Sequence, residues 1–236
     1  MDEQRGFALI LNGSGLKGFA SLGIVEVLEK EGFPIGCILG SGVGSFVGGL
    51  HLCGTLKDFK EKFVSSEQIQ TLISGKNQRN FDQLSAFFLK KNIEEFPQKF
   101  ASISRDLKTG KLVILERGDL FKIVRGSMSI PGIFDEVFLE NMNLGESHLE
   151  IPSFFGSFFA KKVIHVSFSS GEISLKDLFF KKEIFEKLPT FNPRCCVTLL
   201  PEIKKINVSD PQQLIQSGRN CAERNLDSLL RLLKRR

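Results

Sequence analysis

Phe7 to Leu11 is an unbroken apolar run that ends in Asn12-Gly13-Ser14-Gly15. Beyond it the apolar spacing changes: Leu22, Val25 and Leu28 recur every third residue, the stripe of an amphipathic helix. Gly32-Phe33-Pro34 stops that helix, and Ile35 to Leu39 forms a second apolar run. Gly40-Ser41-Gly42-Val43-Gly44 follows at once and leads into another helical stretch through Leu52. Strand, glycine turn and helix, repeated, predict an α/β fold with a parallel sheet.

Downstream the pattern is looser. From Thr55 to about Phe100, apolar positions such as Phe59, Phe63, Ile69, Leu72, Leu84, Phe87 and Phe88 predict helices that cover the sheet. Ala101 to Arg105, Lys111 to Leu115, Lys162 to Phe168 and Cys195 to Leu199 read as strands. Asp210-Pro211 opens one last helix, with Asp as the cap and Pro in the first turn. No linker, repeat or low-complexity stretch divides the chain, so a single domain over residues 1–236 is expected.

Composition changes this picture in one respect. The 236 residues include 23 Phe, no Tyr and no Trp, so no aromatic side chain carries a polar handle. Nine of the phenylalanines fall between Phe154 and Phe191, a candidate lipid-facing or partner-facing surface as well as plain core. The net charge is +5, of which +4 lies between Arg219 and Arg236. The remaining chain has no basic stripe, which argues against nucleic acid as a partner. The tail places positive side chains near the negative end of a last helix. Arg231, Lys234, Arg235 and Arg236 also make it a candidate for contact with an anionic membrane.

Five cysteines without a CxxC pair, and three scattered histidines, give no metal-ligand spacing and no disulfide framework. Neither a metal nor a cofactor is expected. The start carries no signal-peptide pattern and no apolar run reaches 18 residues, so a soluble cytoplasmic protein is expected.

The two glycine turns carry the candidate chemistry. Neither is a phosphate loop, and the GxGxxG spacing of Gly13 to Gly18 lacks the downstream acid of a dinucleotide site. The first turn suits anion cradling, because small residues let backbone N–H groups converge at a helix start. The second has the GxSxG spacing of a nucleophile elbow, but its central residue is Gly42, which has nothing to attack with.

Together these blocks resemble the bacterial patatin-like phospholipases, α/β acyl hydrolases with a Ser-Asp dyad. The family's glycine-rich oxyanion motif matches Gly13-Ser14-Gly15-Leu16-Lys17-Gly18, and its next helix matches Leu22 to Ile35. Arg125 to Phe134, with Ser129-Ile130-Pro131-Gly132, and Leu214 to Glu223 resemble two later blocks.

The resemblance implies a three-layer α/β/α sandwich around a mainly parallel sheet, and a backbone cradle at Gly13, Ser14, Gly15, Leu16 and Lys17. It also implies that the dyad is missing. The family's serine falls on Gly42, and its Asp, counted back from Pro152, falls on Leu144. Ser41, Glu146 and His148 are the residues near these positions with chemistry to offer. The expectation is a catalytically inactive or impaired relative of lipid acyl hydrolases that keeps an acyl or anion site. The alternatives are a hydrolase that uses displaced groups and a non-enzymatic interaction module.

Overall fold

The computed structural model describes residues 6–13, 15–64, 83–89, 91–168, 192–203, 206–207 and 209–235. Eight strands form one mixed sheet: β1 (Phe7–Leu11), β2 (Ile35–Ser41), β3 (Lys99–Asp106), β4 (Leu112–Leu115), β5 (Val137–Leu139), β6 (Met142–Gly145), β7 (Lys162–Val166) and β8 (Cys196–Leu199). Their order is β5-β6-β3-β2-β1-β7-β8, with β4 also pairing with β3. The run β3-β2-β1-β7-β8 is parallel, while β4 and β6 lie antiparallel to β3 and β5 lies antiparallel to β6.

The apolar runs are continuous because the central strands are buried on both faces. Phe7, Leu9 and Leu11 enter the main core, under the helices, and Ala8 and Ile10 enter a second core on the opposite face. The α-helices among the described residues are α1 (Ala20–Lys30), α2 (Val43–Cys53), α3 (Leu56–Phe59), α4 (Leu120–Met128), α5 (Pro211–Arg224) and α6 (Leu226–Lys234). α1 and α5 meet at backbone level: a Cβ on Gly218 would stand 1.8 Å from the Ala20 carbonyl oxygen, and one on Gly23 2.0 Å from that of Ile215. Glu26 on α1 ties this face together by pairing with Lys60 and Arg219.

Phenylalanine supplies the packing that the missing Tyr and Trp do not. Phe46 on α2 meets Phe59 edge-on at 5.0 Å between ring centroids and Phe88 at 5.6 Å. Of the aromatic stretch after residue 153, Phe155 is buried in the second core, and Phe154, Phe158 and Phe159 pack half-buried around it. Phe179, Phe180, Phe185 and Phe191 lie outside the described residues, as does the whole stretch from Ser65 to Asp82, with Ile69 and Leu72.

Three expectations change. The strand over Ala101 to Arg105 extends to eight residues, because β3 pairs with β2 through its first half and with β4 and β6 through its second. The β5–β6 hairpin was not foreseen; its strands are short, and Phe138 is exposed rather than part of an alternating apolar face. The single last helix is two, broken at Asn225, whose side-chain amide donates to the Cys221 carbonyl.

Candidate functional site

The site lies at the carboxyl ends of β1 and β2, beside the point where the strand order reverses, where α/β sheets hold their ligands. β2 runs into α2 through Gly42, at φ +54° and ψ −129°. An L side chain rarely adopts this backbone, and it is the strained bend of a nucleophile elbow. Glycine holds it without a steric penalty. The bend of the elbow is thus present in the backbone, with no side chain at its apex.

The surroundings of Gly42 have closed over the missing side chain. A Cβ placed there would stand 2.4 Å from the Gly13 carbonyl oxygen and 3.0 Å from Glu146 Oε1. The same Gly13 carbonyl accepts the Val43 N–H at 2.8 Å. In a working elbow, the N–H of the residue after the nucleophile is an oxyanion donor. Here it is committed within the protein.

Glu146 follows β6 and is only 4% exposed. Its backbone N–H donates to the Ser129 carbonyl at 2.7 Å, and its Oε1 accepts the Gly15 N–H at 3.2 Å. His148 Nδ1 lies 3.5 Å from Oε2 of the same carboxylate, on a side chain that is 56% exposed. His148 itself has φ +54°, uncommon for a residue with a Cβ. Arg105 steadies this loop by donating to the Ser147 carbonyl at 3.1 Å.

Leu144, two residues earlier and within β6, is fully buried in the main core. A methyl placed on Gly126 of α4 would stand 2.7 Å from its side chain. The count back from Pro152 assigns the acid to Leu144; the carboxylate that the fold sets beside the elbow apex belongs to Glu146.

Ser41 is buried and faces the other side of the sheet, where its hydroxyl donates to Asn12 Oδ1 at 3.4 Å. Of the other cradle positions, Leu16 is half-buried against the main core, Lys17 is exposed, and Ser14 lies outside the described residues.

A polar knot that the motifs did not reveal sits directly beneath. Asn12 Nδ2 donates to the Ile151 carbonyl at 3.1 Å and the Val166 carbonyl at 3.0 Å, and Asn12 Oδ1 accepts the Ile151 N–H at 2.6 Å. His165 Nε2 lies 2.9 Å from the Ile151 carbonyl and 3.0 Å from Asn12 Nδ2. The buried His165 Nδ1 has no partner among the described residues. Burial holds the His165 imidazole below its ordinary value, against the pull of the Ile151 carbonyl and Glu150.

The basic tail is partly accounted for. α6 buries Leu229 and Leu232, so its apolar face is docked on the core, with Arg231 and Lys234 exposed in its last turn. The Arg235 guanidinium donates to the Arg194 carbonyl, and Arg236 is outside the described residues. All five cysteines are free thiols. Among the described residues no group of His, Cys, Asp and Glu is arranged to hold a metal ion, and no helix is long and apolar enough to cross a membrane.

Comparison with known proteins follows this geometry. No family model matches the chain. A stretch of 136 residues, 53% of the chain, is 30% identical to an uncharacterized NTE family protein of Mycobacterium bovis, of which it covers 38%. A stretch covering 55% of the chain is 29% identical to lysophospholipase NTE1 of Meyerozyma guilliermondii, of which it covers 10%. The chain therefore spans well under half the length of the curated relatives it matches. Among solved structures, VipD from Legionella pneumophila has a TM-score of 0.57 at 10% identity, over 94% of this chain and 67% of that one. The fold is patatin-like. Within the patatin-like fold, the glycine loop after β1 and the elbow after β2 are the two features that the sequence resemblance had singled out. The structure brings them into contact.

Proposed function

We propose that this chain is a patatin-like, lipid-related domain that has lost acyl hydrolysis and retains a site for an acyl ligand whose polar end meets the cradle. The observation that carries the reading is the elbow apex. Gly42 supplies no hydroxyl, and the space a serine Cβ would need is taken by the Gly13 carbonyl at 2.4 Å. Serine acyl hydrolysis requires a nucleophile, a base in reach of it and free donors for the oxyanion. Here the apex carries no nucleophile, the Val43 N–H is bonded to the Gly13 carbonyl, and the nearest carboxylate is bonded to Gly15. The lipid class of ligand is supported by the NTE family and lysophospholipase names of the relatives, which cover about half of the chain.

The test is hydrolysis of short- and long-chain p-nitrophenyl esters by the purified protein, with labelling by a fluorophosphonate probe alongside. The expected result is a rate equal to the heat-inactivated control and no labelled serine. Turnover that disappears on changing Ser41 or Glu146, or labelling at one defined serine, would overturn the reading in favour of a hydrolase with displaced groups.

A further inference from the structure

Cations from three elements meet at the amino ends of the parallel strands. Lys162 opens β7 opposite Phe7 of β1, and Val163 pairs with Cys196, which sets Arg194 beside them at the entry to β8. The end of α6 is bonded to both: Lys162 Nζ donates to the Leu233 carbonyl at 2.9 Å, and the Arg235 guanidinium donates to the Arg194 carbonyl. Both acceptors are neutral, so the positive charges remain. Arg194, Arg231, Lys234 and Arg235 are exposed, and none lies within ion-pair distance of a carboxylate among the described residues. The nine residues after Asp227 hold four cations and no acid. Like charges three and four residues apart on a helix repel, as Arg231 does Lys234 and Arg235, until an anion meets them. Aromatic rings reach the same end from the second face of the sheet. The chain leaves the 3-10 turn Ser153–Phe158 through Phe159 and Ala160 and enters β7 at Lys162. Phe158 and Phe159 are half-buried, and neither ring carries a polar handle.

From this we infer that the amino end of the sheet, together with the last turn of α6, is a docking face for an anionic lipid surface, and that it holds the elbow end of the sheet turned away from that surface. The cations supply the attraction: each Lys or Arg brought to an anionic leaflet strengthens binding by about fivefold. The rings decide which anion. A phenylalanine without a hydroxyl gains little from the carboxylates of an acidic protein or the phosphates of a nucleic acid, whereas the boundary between headgroups and acyl chains receives it. β7 is five residues long, so about 13 Å of sheet separates Lys162 from Val166, which pairs with Leu11 at the end that carries the glycine loop. The docking face is therefore distinct from the elbow site, and the inference stands apart from the reading of that site.

The experiment is co-sedimentation of the full chain with vesicles of phosphatidylcholine alone and of phosphatidylcholine with one-third phosphatidylserine. Binding is expected to the anionic vesicles only, and to be lost when NaCl rises from about 0.1 M to about 1 M and the screening length falls from about 10 Å to about 3 Å. Arg231→Gln combined with Lys234→Gln, at two exposed positions, is expected to weaken binding about 25-fold. Because the chain has no Trp, a single introduced one reports its own surroundings. The emission of Phe159→Trp is expected to shift to the blue on anionic vesicles. That of Ile133→Trp is expected to stay unshifted; this residue is 49% exposed and lies four residues beyond Ser129, whose carbonyl holds Glu146. If Phe159→Trp does not fold, Pro193→Trp, exposed and next to Arg194, takes its place. Equal binding to both kinds of vesicle or to neither, undiminished affinity in a double variant that melts as the wild type does, or a shift at Ile133→Trp as large as at Phe159→Trp would overturn the inference. Tighter binding of a DNA duplex or of polyglutamate than of the anionic vesicles would overturn it too, by giving the face to another occupant. Ester turnover is read separately, so failure here leaves the loss of hydrolysis untouched.

Discussion

Restoring serine at the elbow, Gly42→Ser, is the substitution that the sequence invites and the structure opposes. The new Cβ would lie 2.4 Å from the Gly13 carbonyl oxygen, so that carbonyl must retreat by about 1 Å to reach ordinary contact distance. The retreat breaks the hydrogen bond that Gly13 accepts from Val43 at 2.8 Å. Holding a non-glycine residue at φ +54°, ψ −129° costs roughly 1–3 kcal/mol, and the lost hydrogen bond about 1 kcal/mol. Against this, removing a glycine from the unfolded chain returns about 0.4–1 kcal/mol. The net is a loss of roughly 1–3 kcal/mol, and at about 2–4 °C per kcal/mol for a chain of this size Tm falls by roughly 2–12 °C. A serine Oγ there would reach Glu146, yet the Gly15 N–H remains engaged by that same carboxylate, so p-nitrophenyl ester turnover stays at background. Thermal melts and an ester assay on the one variant decide the matter. An unchanged Tm together with new, fluorophosphonate-sensitive turnover would refute the claim that the cradle has closed.

Two other outcomes follow from positions away from the apex. Gly218→Ala puts a methyl 1.8 Å from the Ala20 carbonyl oxygen and forces α1 and α5 apart, an overpacking cost of about 1–3 kcal/mol. The urea midpoint should fall accordingly, and an unchanged midpoint would show that the helices separate freely. Because burial holds His165 below its ordinary value, the unfolded chain takes up the proton first as pH drops through about 6.5. Stability is therefore full above that pH and declines towards pH 5, by at most about 1.4 kcal/mol per unit from this group. Melts of the wild type and of His165→Gln between pH 7 and pH 5 should show the shallower slope in the variant; parallel slopes would refute the assignment.

The parts of the fold that were legible in the chain are those whose signal is local. β1, the glycine loop, α1, β2 and the elbow follow one another within about 50 residues, and each is marked by a change of apolar period or by glycine at the bend. The elbow's geometry was readable because Gly40 and Gly44 flank its centre, Gly42. The acid was harder to place. Counting back from Pro152 lands on Leu144, inside β6, whereas the carboxylate nearest the apex is that of Glu146, two residues later and past the end of the strand, where strand periodicity no longer sets the direction of the side chain. No local pattern announces the Gly15–Glu146 bond or the Asn12–Ile151 bonds, because their partners are more than 130 residues apart and meet only when β1, β3 and β6 are assembled. The break at Asn225 is likewise hidden, since Ile215, Ala222, Leu226, Leu229 and Leu233 keep a helical spacing across it.

The Asn12 knot has a mechanical consequence. One side chain, next in sequence to Gly13, is bonded to both the N–H and the carbonyl of Ile151 and to the end of β7. The loop that presents the Gly15 N–H and the loop that presents Glu146 thus hang from a single rivet on the sheet. They cannot swing apart as two jaws without stripping the two hydrogen bonds that join the buried Asn12 amide to Ile151, a loss of about 1–3 kcal/mol. With the two loops pinned at this point, parting Gly15 from Glu146 means turning a buried glutamate side chain in place rather than moving the loops that carry the pair.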